Sequence, residues 1–320
     1  MKIIDLNTFE FIRASGPDMI QFLQGQITCD VYTLTESKSL SGAICNLKGR
    51  VVTDFQIALH QNDCVLRTTG GTAEATLATL SKYAVFSKVE LKIDTVIIRA
   101  FGFIGDDAAN FLNSRFGSLP AEIGNCIGVP GGLLLRIASQ TPRFELWCND
   151  ADLIADIEKN YEADSNLDKW NREDLKAGIM HVDSEAVEEY TPQLLNFDIS
   201  GVIDFNKGCY TGQEVVARMF YRSKPKKRLY LLASEHPVDA SDELLQIGDE
   251  NTAPAEVMAV SNRPADSTES SLVLAILNIS AVENQENFAF ANKLETFLKI
   301  QSLPLSLIHI SEPTRRTPIS

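Results

Sequence analysis

Up to about residue 225, short β-type runs alternate with stretches whose apolar residues recur at helical spacing; beyond it the chain is almost wholly short β-type runs. FEFIRA is strand-like. SGPDMIQFLQGQ then sets Met19, Ile20, Phe22 and Leu23 at helical spacing, behind Pro17 and Asp18 in a first turn. LSGAICN and VVTDFQIAL flank Leu47–Arg50, whose Gly49 suits a hairpin loop, and CVLRT adds a further strand. Residues Thr72 to Ala84 place Ala73, Leu77, Leu80 and Ala84 on one helical face, after which VELKI and VIIRAFGFIG return to β-type composition. DDAANFLNSRF reads as a helix, GLLLRIA and RFELWC as strands, and ADLIADIEKNY and DKWNREDLKAG as helices, the latter with Gly178 in a C-cap position.

That mixture predicts an α+β region. RLYLLAS, AEVMAVS, SLVLAIL and NFAFA, separated by polar turns, predict a small β-barrel or sandwich. The boundary falls at Ser223 to Lys227, where proline and charge interrupt the pattern. The expected organisation is two intertwined α+β domains over 1–225, a β-barrel over 226–307 and a tail over 308–320. The tail, IHISEPTRRTPIS, lacks periodicity, carries two prolines and reads as non-native sequence.

Composition narrows the function classes. The 320 residues carry 29 Lys plus Arg against 43 Asp plus Glu, a net charge of −14, which argues against general binding to nucleic acid or anionic membranes. No apolar run approaches the roughly 18 residues of a membrane span, and the N-terminus has no cationic and apolar leader, so the cytosol is the expected location. Cysteines 29, 45, 64, 126, 148 and 209 are too widely spaced for a CxxC metal or redox pair. His60, His181, His236 and His309 form no HxxxH or HxH pattern; no metal site is expected and the histidines receive no role. No P-loop or GxGxxG occurs.

The chemistry concentrates in KGCYTGQEVVAR, residues 207–218. Thr211 and Glu214 satisfy the S/T-x-x-E spacing of a capping box, which starts a helix there. Val215, Val216, Met219 and Phe220 form its apolar face. Cys209 thus precedes a helix N-terminus, with Lys207 and Arg218 as neighbouring cations, a setting that favours thiolate over thiol; the alternative is a small buried hydrophobe. Gly208 and Gly212 allow positive φ and close approach of a ligand. The other five cysteines have no such surroundings and are core candidates. Six cations between Arg218 and Arg228 make either a solvated junction or a face for an anionic partner.

KGCYTGQEVVAR resembles the signature of the YgfZ family, within the superfamily of the glycine-cleavage aminomethyltransferase (T-protein, GcvT). SGPDMIQFLQGQITCDV, NLKGRVVTDF, KYAVFSKV, AGIMHVD and TPQLLNFD support it in order, so that the resemblance spans residues 3 to 307. It implies a three-domain ring-like arrangement with a central folate pocket and a C-terminal β-barrel. The implied role is a tetrahydrofolate-binding accessory factor that supports maturation or repair of iron-sulfur enzymes, including a tRNA methylthiolation enzyme. Within the motif of Lys207, Gly208, Cys209, Tyr210, Thr211, Gly212, Gln213, Glu214 and Arg218, the resemblance makes Cys209 the functional thiol. It assigns Trp170 to folate binding and puts Phe9 where the family has a second tryptophan, which keeps an aromatic face but loses an indole N–H donor. Met180 replaces the usual proline after Gly-Ile, and Lys176 an acidic residue.

One cysteine supplies one of the four thiolates of an iron-sulfur cluster, so a transient cluster would be shared with a partner. The enzyme alternative is a folate-dependent aminomethyltransferase, which has no evident use for the cysteine motif. An RNA-binding module on Arg218 to Arg228 is disfavoured by the net charge.

Overall fold

The computed structural model describes residues 3–97, 99–161, 163–247, 252–264 and 268–304; the expected tail lies outside them. Among the described residues there are three sheets. In the first, strands run in the order Ala163–Asp164, Ile3–Asp5, Arg99–Ile104, Arg143–Cys148, Gly132–Arg136, Cys126–Val129; in the second, Leu40–Cys45, Val51–His60, Asp63–Thr69, Phe9–Ser15, Glu90–Ile93. The chain therefore starts in the first sheet, crosses to the second within a few residues and returns. These two units are interleaved.

Both sheets are buried on two faces, and their period-2 alternation sorts side chains between layers. Phe144, Leu146 and Cys148 meet the helices Asp106–Phe116 and Ala151–Asn160, whereas Trp147 on the same strand points to the second sheet. On the second sheet, Cys64 and Leu66 face the helices Met19–Gln24 and Ala73–Ala84, and Val65 faces the first sheet. The result is four layers: helices, sheet, sheet, helices.

Charges are trapped in the middle layer. Arg143 and Glu145 alternate with the apolar residues of their strand and are fully buried. Glu145 Oε1 is ion-paired with Arg67 at 3.1 Å, and Oε2 accepts from the Trp147 Nε1–H at 2.9 Å. The tight turn between Val51–His60 and Asp63–Thr69 places Gln61 and Asn62 at positive φ, 54° and 69°. That is the type I′ geometry which matches strand twist.

Beyond Lys227 a six-stranded antiparallel sheet runs Asn287–Phe290, Leu244–Ile247, Thr252–Ser261, Ser271–Asn278, Lys227–Ser234, Lys299–Gln301. Phe297 bridges to Ala289, while Lys299, Ile300 and Gln301 pair with Ala233, Leu232 and Leu231. One short segment thus hydrogen-bonds to both edges and closes the expected barrel, which removes exposed strand edges. Leu232, Val273, Ala275 and Phe288 fill its interior.

The helix Asp168–Ala177 joins the three sheets, and Gly178 ends it in the left-handed conformation at φ 71°. Trp170 fills the space over Gly102, where an added Cβ would lie 2.6 Å from the indole. Replacing Gly102 with alanine is predicted to cost about 1–3 kcal/mol through overpacking. A lower urea midpoint at unchanged m-value would show it, and an unchanged midpoint would refute it.

Candidate functional site

A cavity of about 620 Å³ opens where the second sheet meets the loops after the helix Asp168–Ala177 and the loop near Gly124 and Arg136. This is the size range of small-molecule sites. Phe55, Ile137, Met180 and Phe197 give it apolar walls; Lys38, Arg67 and Arg136 bring cations, and Asp30, Asp54, Asp174 and Asp204 carboxylates.

One buried chain of charges organises it. Arg143 donates to Asp174 at 2.8 Å, Asp174 lies 3.7 Å from His181 Nε2, and His181 Nδ1 is 2.6 Å from Asp54. Asp54 also accepts from the Val182 N–H at 2.7 Å. Burial opposes the imidazolium, but Asp54 and Asp174 outweigh it and raise the His181 pKa to about 9. Burial likewise opposes ionisation of Asp174, yet Arg143 and His181 hold its pKa down to about 2. At neutral pH the cavity floor therefore holds the His181 imidazolium against the Asp174 carboxylate, with Asp54 on its other side.

His181 received no role from sequence, and no local pattern could have found it. Its partner Asp54 is 127 positions away in the chain. Phe9 stands behind this floor: it is half-buried, edge-on to His181 at 6.3 Å, and carries the Arg67 guanidinium over its ring at 4.1 Å. Arg67 lines the cavity and its Nε is buried without a partner. Trp170 is 1% exposed, enclosed between Gly102 and the Arg143 guanidinium 3.7 Å above its ring. Its side chain is not among those lining the cavity, whereas Asp174 of the same helix is.

The motif loop lies on the outer side of the same site. Lys207 is buried, and its ammonium donates to the carbonyls of Gln24, Ile27 and Cys29 at 2.9, 2.5 and 2.8 Å. Burial lowers its pKa to about 8. Asp204 N–H donates to Thr28, Thr28 Oγ1 to Val202, and Thr211 N–H to Gly25. The turn from Gln24 to Asp30 is thus clamped by residues 202–211 on one side and exposes Cys29 and Asp30 to the cavity on the other.

Three sequence expectations change here. The helix is Gln213–Arg222 and its N-cap is Gly212 at φ 82°, without a side-chain cap. Thr211 instead donates to Gln26 Oε1 at 2.9 Å, and the Gln213 side chain accepts from Tyr210 N–H, so tertiary contacts displace the capping box. Lys207 is committed to three carbonyls rather than to the thiol. Gly212 does need its freedom, since a Cβ would lie 2.4 Å from the Asn46 carbonyl, whereas Gly208 has open space around it and no positive φ. Of the apolar face, Val216 is buried and Val215, Met219 and Phe220 are partly covered. Cys209 is exposed and the other five cysteines are buried, with burial raising the Cys29 and Cys45 thiols to about 12.

Among the described residues no helix is long and apolar enough to cross a membrane, and no group of three or more His, Cys, Asp or Glu is placed to hold a metal ion.

An NMR titration of His181 should give a midpoint near 9 rather than 6.5, falling in Asp54→Asn; a wild-type midpoint near 6.5 would remove the array. Stability from His181 is complete below about pH 6.5 and is lost as pH rises through about 9, while that from Asp174 is present above about 3.8 and is lost toward 2. Lys207→Met, which leaves three buried carbonyls without their donor, should lower stability by about 2–3 kcal/mol in chemical denaturation. A loss below about 0.5 kcal/mol would mean that water replaces the ammonium.

No family model matches the chain. It is 31% identical over 263 residues, 80% of each sequence, to the tRNA-modifying protein YgfZ of Colwellia psychrerythraea. To that of Hamiltonella defensa it is 34% identical over 238 residues, 73% of this chain and 70% of the relative, and to that of Photorhabdus laumondii 30% over 311 residues, 96% and 93%. The fold matches the crystal structure of glycine cleavage system aminomethyltransferase T from Bartonella henselae with a TM-score of 0.79, covering 96% of this chain and 86% of that one at 16% identity, a likeness of fold alone. With 30–34% identity to relatives over most of both sequences, a motif loop whose cysteine is exposed and a T-protein-like fold, the chain belongs to the YgfZ family.

Proposed function

We propose that this protein is a folate-binding accessory factor of tRNA modification that supports iron-sulfur enzymes through Cys209. The observation that carries this reading is the pairing of a small-molecule cavity with an exposed thiol across one clamped turn, Gln24 to Asp30, in a chain related to tRNA-modifying proteins.

The cavity residues fit tetrahydrofolate. Its volume suits a drug-sized ligand, Phe55, Phe197 and Met180 offer apolar surface to a flat ring, and Lys38, Arg136 and the unpartnered Nε of Arg67 match a tail bearing carboxylates. When bound, tetrahydrofolate supplies a reduced pterin with nitrogens able to carry one-carbon groups. In this reading Trp170 and Phe9 act from behind the wall: Trp170 supports Arg143, and Phe9 supports Arg67 and His181. Cys209 would offer its sulfur to a client, and a cluster held there takes its remaining ligands from that client. The aminomethyltransferase alternative gains nothing specific, since the likeness at 16% identity is shared by both readings.

The test is complementation of a strain lacking the endogenous protein, read as iron-sulfur enzyme activity and as methylthiolated nucleosides in tRNA. Cys209→Ser should fail to restore either while purified protein still binds tetrahydrofolate by calorimetry. Lys38→Ala should weaken that binding about 5–20-fold, the loss of one charge-assisted contact. Full rescue by Cys209→Ser would end the thiol reading, and absence of tetrahydrofolate binding at millimolar ligand the folate one.

A further inference from the structure

Six cations run from Arg218, the last residue of the motif, to Arg228, and the fifth of them, Lys227, is exposed at the start of the barrel. Arg228 is paired with Asp198, both contacts at 2.8 Å. Arg218, Arg222, Lys224 and Lys226 are exposed and, among the described residues, have no ion-pair partner. Four uncompensated cations within nine residues are an anomaly on a chain of net charge −14.

The patch is not only charged. Tyr221, 67% exposed, stands edge-on to Phe220 at 5.0 Å, and Phe220 stacks on Phe205 at 3.9 Å, so the exposed ring is held on an aromatic platform. The hairpin tip Asn46–Arg50 packs against the first turn of the same helix, where a Cβ on Gly49 would lie 2.8 Å from Val215. It brings exposed Lys48 and Leu47, 70% exposed, to this side. Exposed Cys209 lies four residues before the helix. Rigid aromatic and arginine side chains surrounded by charge are the composition of protein-binding hot spots.

We propose that the face formed by Leu47, Lys48, Arg218, Tyr221, Arg222 and the Lys224–Lys226 segment docks the acidic face of a partner protein and presents it to Cys209. A folded partner with a local acidic patch matches these cations alone. An RNA backbone continues past them over a surface of the same sign as itself, which costs affinity. The proposal rests on Cys209 serving a protein client, and adds how that client is oriented. Steering by the patch speeds encounter, with strong dependence on salt.

The experiment places a photo-crosslinking benzophenone amino acid at position 221 of the full chain in cells. The expected result is an adduct that resists ribonuclease, contains an acidic polypeptide, and falls at least tenfold when Arg218, Arg222, Lys224 and Lys226 are all changed to Glu. The reversed variant should also lose rescue of iron-sulfur enzyme activity while its thermal midpoint and tetrahydrofolate affinity stay unchanged, since none of these side chains lines the cavity. A ribonuclease-sensitive adduct would assign the face to RNA and overturn the proposal, as would no adduct or one that charge reversal leaves intact. Cys209→Ser with the crosslinker at 221 separates the two readings: an adduct retained with rescue intact sinks the thiol role and leaves the docking face standing.

Discussion

The helix Asp168–Ala177 ties the three sheets together through Trp170, Arg172 and Asp174. Trp170 is set against Gly102 of the first sheet, and Asp174 reaches Arg143 of that sheet and, through His181, Asp54 of the second. Arg172 turns to the barrel, where it donates to Glu269 and to the carbonyls of Ser261 and Ser270. Glu269 is half-exposed, but the contacts among Arg143, Asp174, His181 and Asp54 are charged and largely buried. Breaking one member of such a set strands the others in a low-dielectric setting, at a cost of about 3–5 kcal/mol, so the arrangement specifies one geometry for the three units.

The cavity is floored by the same array. Asp54, Asp174 and His181 line it, and their contacts with one another and with Arg143 beneath hold these polar groups in place before any ligand arrives. Preorganised polar groups of this kind lose little entropy on binding. The Lys207 clamp carries that order outward: the turn that lines the cavity with Cys29 and Asp30 is the turn on which the Cys209 loop is seated. Two features that are 180 positions apart in sequence become one site.

Much of this was legible before folding. The alternation of residues 40–69, the helical spacing of 73–84 and the glycine at 178 each act within a few residues, where backbone geometry and local burial dominate, and each appears as expected. The five core cysteines are buried, as the lack of an activating pattern around them implies. Barrel closure by residues 297–301 was not legible, because a segment that bridges two edges has no periodicity of its own.

The chain's local chemistry settled the elements, the turns and the motif that marks its family, since those depend on neighbours in sequence. Pairings between charges remote in sequence settled the rest. Lys207 faces three carbonyls, Thr211 prefers Gln26 to its own helix, and His181 is charged only because Asp54 and Asp174 converge on it. A side chain's charge state and partners follow the field and desolvation at its final position, and that position exists only once the sheets have met.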